Sequence, residues 1–328
     1  MKICVFGAGA IGGLIAARLA ASGTPVSVIA RGAHLQAIQQ RGLMWRERGH
    51  ERVVQVEASA DGQAFGPQDY VIVALKSNAL PGALPALEPL LGEHTVLVPA
   101  MNGVPWWFFN GFGGTLAGMQ LDDVDPQARL GARIDIARVV GCVIYLSARV
   151  PEPGVVEHMG REDIELGEPD GTLSARAERL RACLGSAGFA CRTSADIRSA
   201  IWNKLIGNAG LNPVAALTHA TLDRILDDPG VRTLLLTAMD EVIAVGAALG
   251  LQIRQSSRER LEMGRSLGAV EVSMLQDVRH GRPLEYEALC AVVVQIGERA
   301  GVPVPMLRAL AALIRLRAQQ LERVEPVA

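Results

Sequence analysis

Lysine is almost missing from this chain. Of its 32 basic residues only Lys2, Lys76 and Lys204 are lysines. A desolvated ammonium can lose its proton and a guanidinium effectively cannot, so a lysine kept where arginine serves elsewhere marks a candidate for chemistry. Other absences exclude whole classes of protein. Five cysteines, at 4, 142, 183, 191 and 290, form no C-x-x-C pair, which points to free thiols in a reducing compartment and a cytoplasmic location. No apolar run approaches the roughly 18 residues that would span a bilayer. Lys2 and the apolar stretch up to Ala20-Ala21-Ser22 have the outline of a signal peptide, but four glycines between 7 and 13 would break its helix. A net charge of −2 and a pI near 6.3 leave no overall basic character, which argues against nucleic acid as a partner. The six histidines show no H-E-x-x-H spacing, so no metal site is expected, and His158 reads as structural. There is no G-x-S-x-G elbow for a serine hydrolase.

Glycine, by contrast, is concentrated where it carries meaning. Ile3 to Phe6 form an apolar strand that runs into Gly7-Ala8-Gly9-Ala10-Ile11-Gly12 and then a small-residue helix. Gly7 allows the tight turn, Gly9 lets the backbone approach a phosphate, and Gly12 lets helix and strand pack closely, with helix amides aimed at the anion. This is a dinucleotide pyrophosphate loop. The next strand, Val26 to Ala30, ends at Arg31, and no acidic residue precedes Glu47. An NAD site would carry an acid near here for the ribose 2′-hydroxyl; an arginine instead suits the 2′-phosphate of NADP(H). The plainer reading of Arg31 is a surface residue after a strand.

The first part of the chain alternates strands and helices as a parallel, doubly wound sheet requires. Strands are expected at 53–57, 70–75 and 95–98 and a helix at about 80–91. Lys76 and Asn102-Gly103 follow strands at the carboxyl edge where such sheets bind ligands. Residues 139–167, broken by Pro151-Glu152-Pro153-Gly154, predict an antiparallel hairpin completing the sheet. Beyond about 171 the pattern is helical, with helices after Pro229, over 283–300 and over 305–322. These observations predict two domains, residues 1–169 and 170–328. The apolar C-terminal helices suit either core or the surface of a homodimer.

Lys204 lies in Ile201-Trp202-Asn203-Lys204-Leu205-Ile206-Gly207-Asn208-Ala209-Gly210-Leu211-Asn212-Pro213. Lys204, Asn208 and Asn212 recur at i, i+4 and i+8, a polar stripe beside apolar Ile201, Trp202, Leu205 and Ala209. Such a stripe suits a polar ligand or a solvated helix face, and Pro213 places Asn212 at an expected kink. Farther on, Ser273-Met274-Leu275-Gln276-Asp277 precedes a turn, and Glu285 stands in the first turn of a helix, where a carboxylate is also ordinary charge compensation.

Together, in this order, the glycine loop, Lys76, Asn102-Gly103, the Lys204/Asn208/Asn212-Pro213 segment, Ser273 to Asp277 and Glu285 resemble the ketopantoate reductase (2-dehydropantoate 2-reductase) family over essentially the whole chain. The resemblance implies an α/β, Rossmann-type N-terminal domain, an all-α C-terminal domain, and a site in the cleft they form. It implies NADPH-dependent reduction of 2-dehydropantoate to pantoate, a step of pantothenate synthesis. Lys204 and Glu285 would be the catalytic pair, Lys204 as general acid and Glu285 as acceptor for the substrate hydroxyl. Asn208, Asn212, Ser273 and Asn102 would bind substrate, while Gly7 to Gly12, Arg31, Lys76 and Asn102 would hold NADP(H).

The chain departs from the family pattern after Asn102-Gly103. Five of its 13 aromatic residues fall within 106–112, ahead of a long connection to the strand at 139. This segment reads either as packing at an interface or as a lid or pocket wall, and the latter would allow a paralogous reductase of a bulkier 2-oxo or 3-oxo acid. A non-catalytic NADP(H)-binding regulator is a further alternative; it would have no use for Lys204, Asn208 and Glu285.

Overall fold

The computed structural model describes residues 1–323, which form two compact units. The first comprises Met1–Asn102 and Arg129–Ile197, the second Gly103–Ala128 and the described residues from Arg198 onward.

In the first unit β1 (Ile3–Phe6), α1 (Ala10–Ala21), β2 (Val26–Ile29) and α2 (Gly32–Arg41) open the fold. After them come β3 (Leu43–Glu47), β4 (His50–Val54), β5 (Glu57–Ser59), β6 (Tyr70–Val73), α3 (Leu80–Leu87) and β7 (Val96–Pro99). β1, β6 and β7 are four-residue apolar runs buried throughout, as strands covered on both faces must be. The sheet runs β5-β2-β1-β6-β7, with every pairing parallel. Its order reverses at β1, so the crevice at the carboxyl ends of β1, β2 and β6 is the topological switch point.

A second sheet was not legible in the sequence. β8 (Gly141–Arg149) and β9 (Val155–Gly167) form the expected antiparallel hairpin, but β9 joins β3 and β10 (Ala190–Thr193), and β4 pairs on β3. The hairpin meets the parallel sheet through one isolated bridge, Leu97 to Val139. The strand expected at 53–57 is two strands. β4 turns back on β3 through Arg48-Gly49, both at positive φ as a two-residue hairpin turn demands, and β5 lies at the edge of the first sheet. α4 (Ala175–Ser186) and β10, in the stretch expected to be purely helical, belong to the first unit.

The second sheet exists because α1 needs a cover. All residues from Gly12 to Leu19 are buried, so the helix is enclosed by both sheets. Its one long polar side chain, Arg18, is 4% exposed. The guanidinium lies over Trp45 and Phe189, 5.4 and 4.9 Å from their ring centroids. It donates to Glu47 Oε1 at 2.5 Å, Glu162 Oε1 at 3.3 Å and the Gly188 carbonyl at 3.1 Å. His158, 2.6 Å from Glu47, completes the group. Ligand atoms of Glu47, His158 and Glu162 lie within 4.8 Å of one another, close enough for a cation, and Arg18 is the cation bound to both carboxylates.

In the second unit α5 (Ile197–Thr218), α6 (Leu222–Asp227), α7 (Pro229–Ala248), α8 (Ser257–Arg265) and α9 (Ser273–Arg279) come first. A π-helical turn (Glu287–Ala291), α10 (Val292–Ala300) and α11 (Pro305–Arg323) follow. The single helix expected over 283–300 is thus a π turn leading into an α-helix. Asp228 caps α7 through Gly230 and Val231, and Ser256 with Glu259 makes a capping box on α8. α11 is capped from another helix: the buried Glu241 carboxylate of α7 accepts from Met306 and Leu307, both at 2.8 Å. Leu307, Leu310 and Ile314 of α11 are core, while Leu313 and Leu316 are exposed. No helix of the described residues is long and apolar enough to cross a membrane, and all five cysteines are free thiols.

Replacing Arg18 by alanine would leave Glu47 with His158 alone and empty the space between Trp45 and Phe189, and is expected to cost about 3–5 kcal/mol in denaturant unfolding. Burial pushes the Glu47 carboxyl up, but the His158 hydrogen bond and the Arg18 charge outweigh it and hold the group below its ordinary 4.5. Its contribution is therefore present above that value and lost as pH falls through the lower folded pKa. Acid titration of stability below pH 4.5 should be flatter in Arg18→Ala than in the natural protein.

Candidate active site

The residues expected at the nucleotide lie along the carboxyl edge of the parallel sheet. The chain leaves β1 at Gly7, whose φ of +105° is reserved for glycine. The amides of Gly7 and Ala8 both donate to the Ile29 carbonyl at 3.0 Å, which pins the loop to the end of β2. A Cβ on Gly12 would lie 2.0 Å from the Gly7 carbonyl oxygen and 2.9 Å from Ala74 Cβ, and one on Gly13 would meet Val156 at 2.5 Å. Glycine at 12 and 13 is therefore a packing requirement. At Gly9 a Cβ would have no heavy atom within 4 Å, so the front of the loop is open.

That opening suits a phosphate. Helix α1 has no side-chain N-cap and no acidic residue in its first turn, which leaves its first amides for an anion. Arg31, exposed, is the N-cap residue of α2 just beyond β2. Lys76, half-buried, follows β6 by three residues, and the intervening Ala74 and Leu75 flank Gly7. Asn102, also half-buried, follows β7.

The second unit carries Lys204. α5 is a 22-residue helix that continues through Pro213, so Lys204, Asn208 and Asn212 share one face and the kink expected at Asn212 does not end the stripe. Lys204 and Asn208 are half-buried and Asn212 is buried. Asn203, beside the stripe, braces the helix: its side-chain amide donates to the Ser199 and Gln252 carbonyls and accepts from the Arg254 amide. Ser273 begins α9 and is exposed, and Glu285 precedes the π turn. Gly103 packs on that turn. It lies so close that a Cβ would sit 2.2 Å from the Ala288 carbonyl oxygen, which accepts from the Val104 amide at 2.9 Å.

The aromatic segment is core, and the reading of it as a lid is wrong. Trp106, Trp107, Phe108 and Phe109 are each at most 5% exposed. Phe108 packs edge-on against Phe109, stacks on Phe112 and reaches Trp202 of α5, with centroids 5.2, 5.9 and 5.9 Å apart. Arg198, at the start of α5, ties the segment down by donating to the Phe108 and Asn110 carbonyls. Trp202 in turn donates to Val242 of α7 at 2.9 Å, against a bare Gly246 where a Cβ would come within 2.3 Å of its ring nitrogen. The rings thus hold the helix that carries Lys204.

Sequence reasoning missed two polar residues here. The Arg260 guanidinium lies on Gly207, where a Cβ would be 2.6 Å from its Nε, so a second cation stands against α5 one residue from Asn208. His34 of α2 lies 2.7 Å from the Ala8 carbonyl of the glycine loop. A glycine in mid-helix was the available signal for the first; for the second there was none.

Comparison with known proteins identifies the family. Residues 3–171 match the ketopantoate reductase PanE/ApbA family and residues 196–318 its C-terminal domain. A 2-dehydropantoate 2-reductase of Mesorhizobium japonicum is 44% identical over 96% of this chain and 97% of its own. A crystal structure from Ralstonia solanacearum MolK2, provisionally assigned as a ketopantoate reductase, superposes with a TM-score of 0.93 at 45% identity, covering 98% of each chain. The 2-dehydropantoate 2-reductase of Geobacter metallireducens GS-15 gives 0.85 at 30% identity, over 97% of this chain and all of that one.

If the rings set the position of α5, Trp202→Ala should lower unfolding free energy by about 3–5 kcal/mol. The near-ultraviolet circular dichroism of the aromatic cluster should collapse with it.

Proposed function

The chain belongs to the ketopantoate reductase family, and on that premise we propose that it reduces 2-dehydropantoate to pantoate with NADPH as hydride donor. The observation that carries the reading is the stripe on α5: one of only three lysines in the chain, half-buried, in line with two asparagines on a rigid helix.

The protein binds a nicotinamide dinucleotide. The open Gly9, the first turn of α1 with no side-chain cap and the exposed Arg31 fit NADP(H), with the loop for its pyrophosphate and the guanidinium for its 2′-phosphate. When bound, the reduced nicotinamide supplies the hydride. The remaining work falls to side chains. As the ketone carbon is reduced its oxygen becomes an alkoxide, and a donor at that oxygen lowers the barrier through charge and proton transfer together. Lys204 is that donor, its ammonium proton passing to the oxygen. Asn208, Asn212, Ser273 and Asn102 offer neutral donors to the carboxylate and carbonyl, and ionised Glu285 accepts from the substrate hydroxyl. Lys76 completes the cofactor side.

The direct test is NADPH oxidation, followed by absorbance, with 2-dehydropantoate and a panel of other 2-oxo acids. Preference for 2-dehydropantoate is expected, and silence on all of them would refute the proposal. Lys204→Ala should lower kcat at least about a hundredfold while the NADPH dissociation constant stays within about twofold. Arg31→Ala should weaken NADPH about tenfold or more and leave NADH within about twofold, since only the former carries the phosphate. Equal weakening of both would remove Arg31 from the 2′-phosphate.

A further inference from the structure

Two backbone groups from distant parts of the chain meet on one imidazole. The Gly154 amide, in the turn joining β8 to β9, donates to His34 Nδ1 at 2.9 Å. An amide can only donate, so Nδ1 presents a lone pair and the ring proton is on Nε2. From there it is donated to the Ala8 carbonyl at 2.7 Å. The network thereby fixes a neutral imidazole in one tautomer. Burial, the larger influence, holds His34 below its ordinary 6.5 against the opposing Ala8 bond, in keeping with that form. Gly154 lets α2 come close, since a Cβ there would lie 2.8 Å from Ala37 Cβ.

The consequence falls on the pyrophosphate loop. Ala8 is gripped at both ends, its amide by the Ile29 carbonyl at 3.0 Å and its carbonyl by His34. In a trans peptide the carbonyl oxygen of Ala8 and the amide hydrogen of Gly9 point in opposite directions. Holding the oxygen toward α2 therefore turns the Gly9 amide away from α2. Rotated the other way, the same peptide would present an oxygen to an incoming anion in place of a donor.

We propose that His34 is a positioning residue for the cofactor: it sets the Ala8–Gly9 peptide so that the loop meets the pyrophosphate with N–H and not C=O. The inference rests on the reading above that this loop binds NADP(H). His34 also stands three residues after Arg31 on the same short helix, so one side chain holds the loop in register with the helix start that bears the 2′-phosphate ligand.

Two substitutions separate the ring's two bonds. Glutamine can place its amide nitrogen where Nε2 lies and keep the donation to Ala8; asparagine reaches only the Nδ1 position and keeps the Gly154 contact. In the full-length protein His34→Asn should raise both KM and the dissociation constant for NADPH about tenfold. The kcat at saturating NADPH and the KM for 2-dehydropantoate should change less than about twofold. His34→Gln should restore most of the affinity. Adenosine 2′-monophosphate, which lacks the pyrophosphate, should bind all three proteins alike. NADPH affinity unchanged in His34→Asn would overturn the inference, as would equal loss in both variants or equal weakening of adenosine 2′-monophosphate. Failure of the natural protein to bind NADPH would defeat the cofactor reading itself and this inference with it.

Discussion

The first unit depends on one close approach. Where α1 leaves the loop, Gly12 stands so near the Gly7 carbonyl that no side chain fits, and one residue later Gly13 makes the same concession to Val156 of the second sheet. Backbone is thus packed against backbone on one side of the helix and against a strand on the other. The open loop, the buried apolar run to Leu19 and the need to neutralise Arg18 all follow from enclosing this helix completely. A loop held from behind in this way is preorganised for an anion in front, and binding requires little further ordering.

The second unit obeys a different constraint, the fixing of one long helix, α5. α5 is gripped by aromatic rings at its start, by α7 through Trp202, and by the 252–254 segment through Asn203. None of these residues needs to touch a ligand. They supply the rigidity that the proposed proton donor would require, because a small misplacement of a catalytic group is costly.

How much of this was legible in the sequence follows from how local each signal is. The glycine loop, the parallel strands and the α5 stripe depend on neighbours within a turn or a strand, and the periodicity of residues 1–30 and 197–212 carries them. β3 and β10 were missed because Leu43 to Glu47 and Ala190 to Thr193 have no clean alternation; each is a strand because β9 is beside it. The aromatic run was left with two readings for the same reason. Composition marks Trp106 to Phe112 as unusual, yet only the position of Trp202, almost a hundred residues later, shows that they are interior. His34 was invisible because its partners are backbone atoms of Ala8 and Gly154, which leave no mark in residue identity.

The aromatic segment also has a bearing on how the chain is made. Phe108 and Asn110 meet Arg198 across 90 and 88 residues of sequence. At about 5–20 residues per second on the ribosome, those rings emerge on the order of five to twenty seconds before the helix that will cover them. For that interval two tryptophans and three phenylalanines have no native place to go, while the sheet on either side of them in the chain can already be assembling. The nascent protein therefore carries its stickiest stretch as an uncovered excursion from a half-built domain, the kind of surface that chaperones bind and neighbouring chains trap.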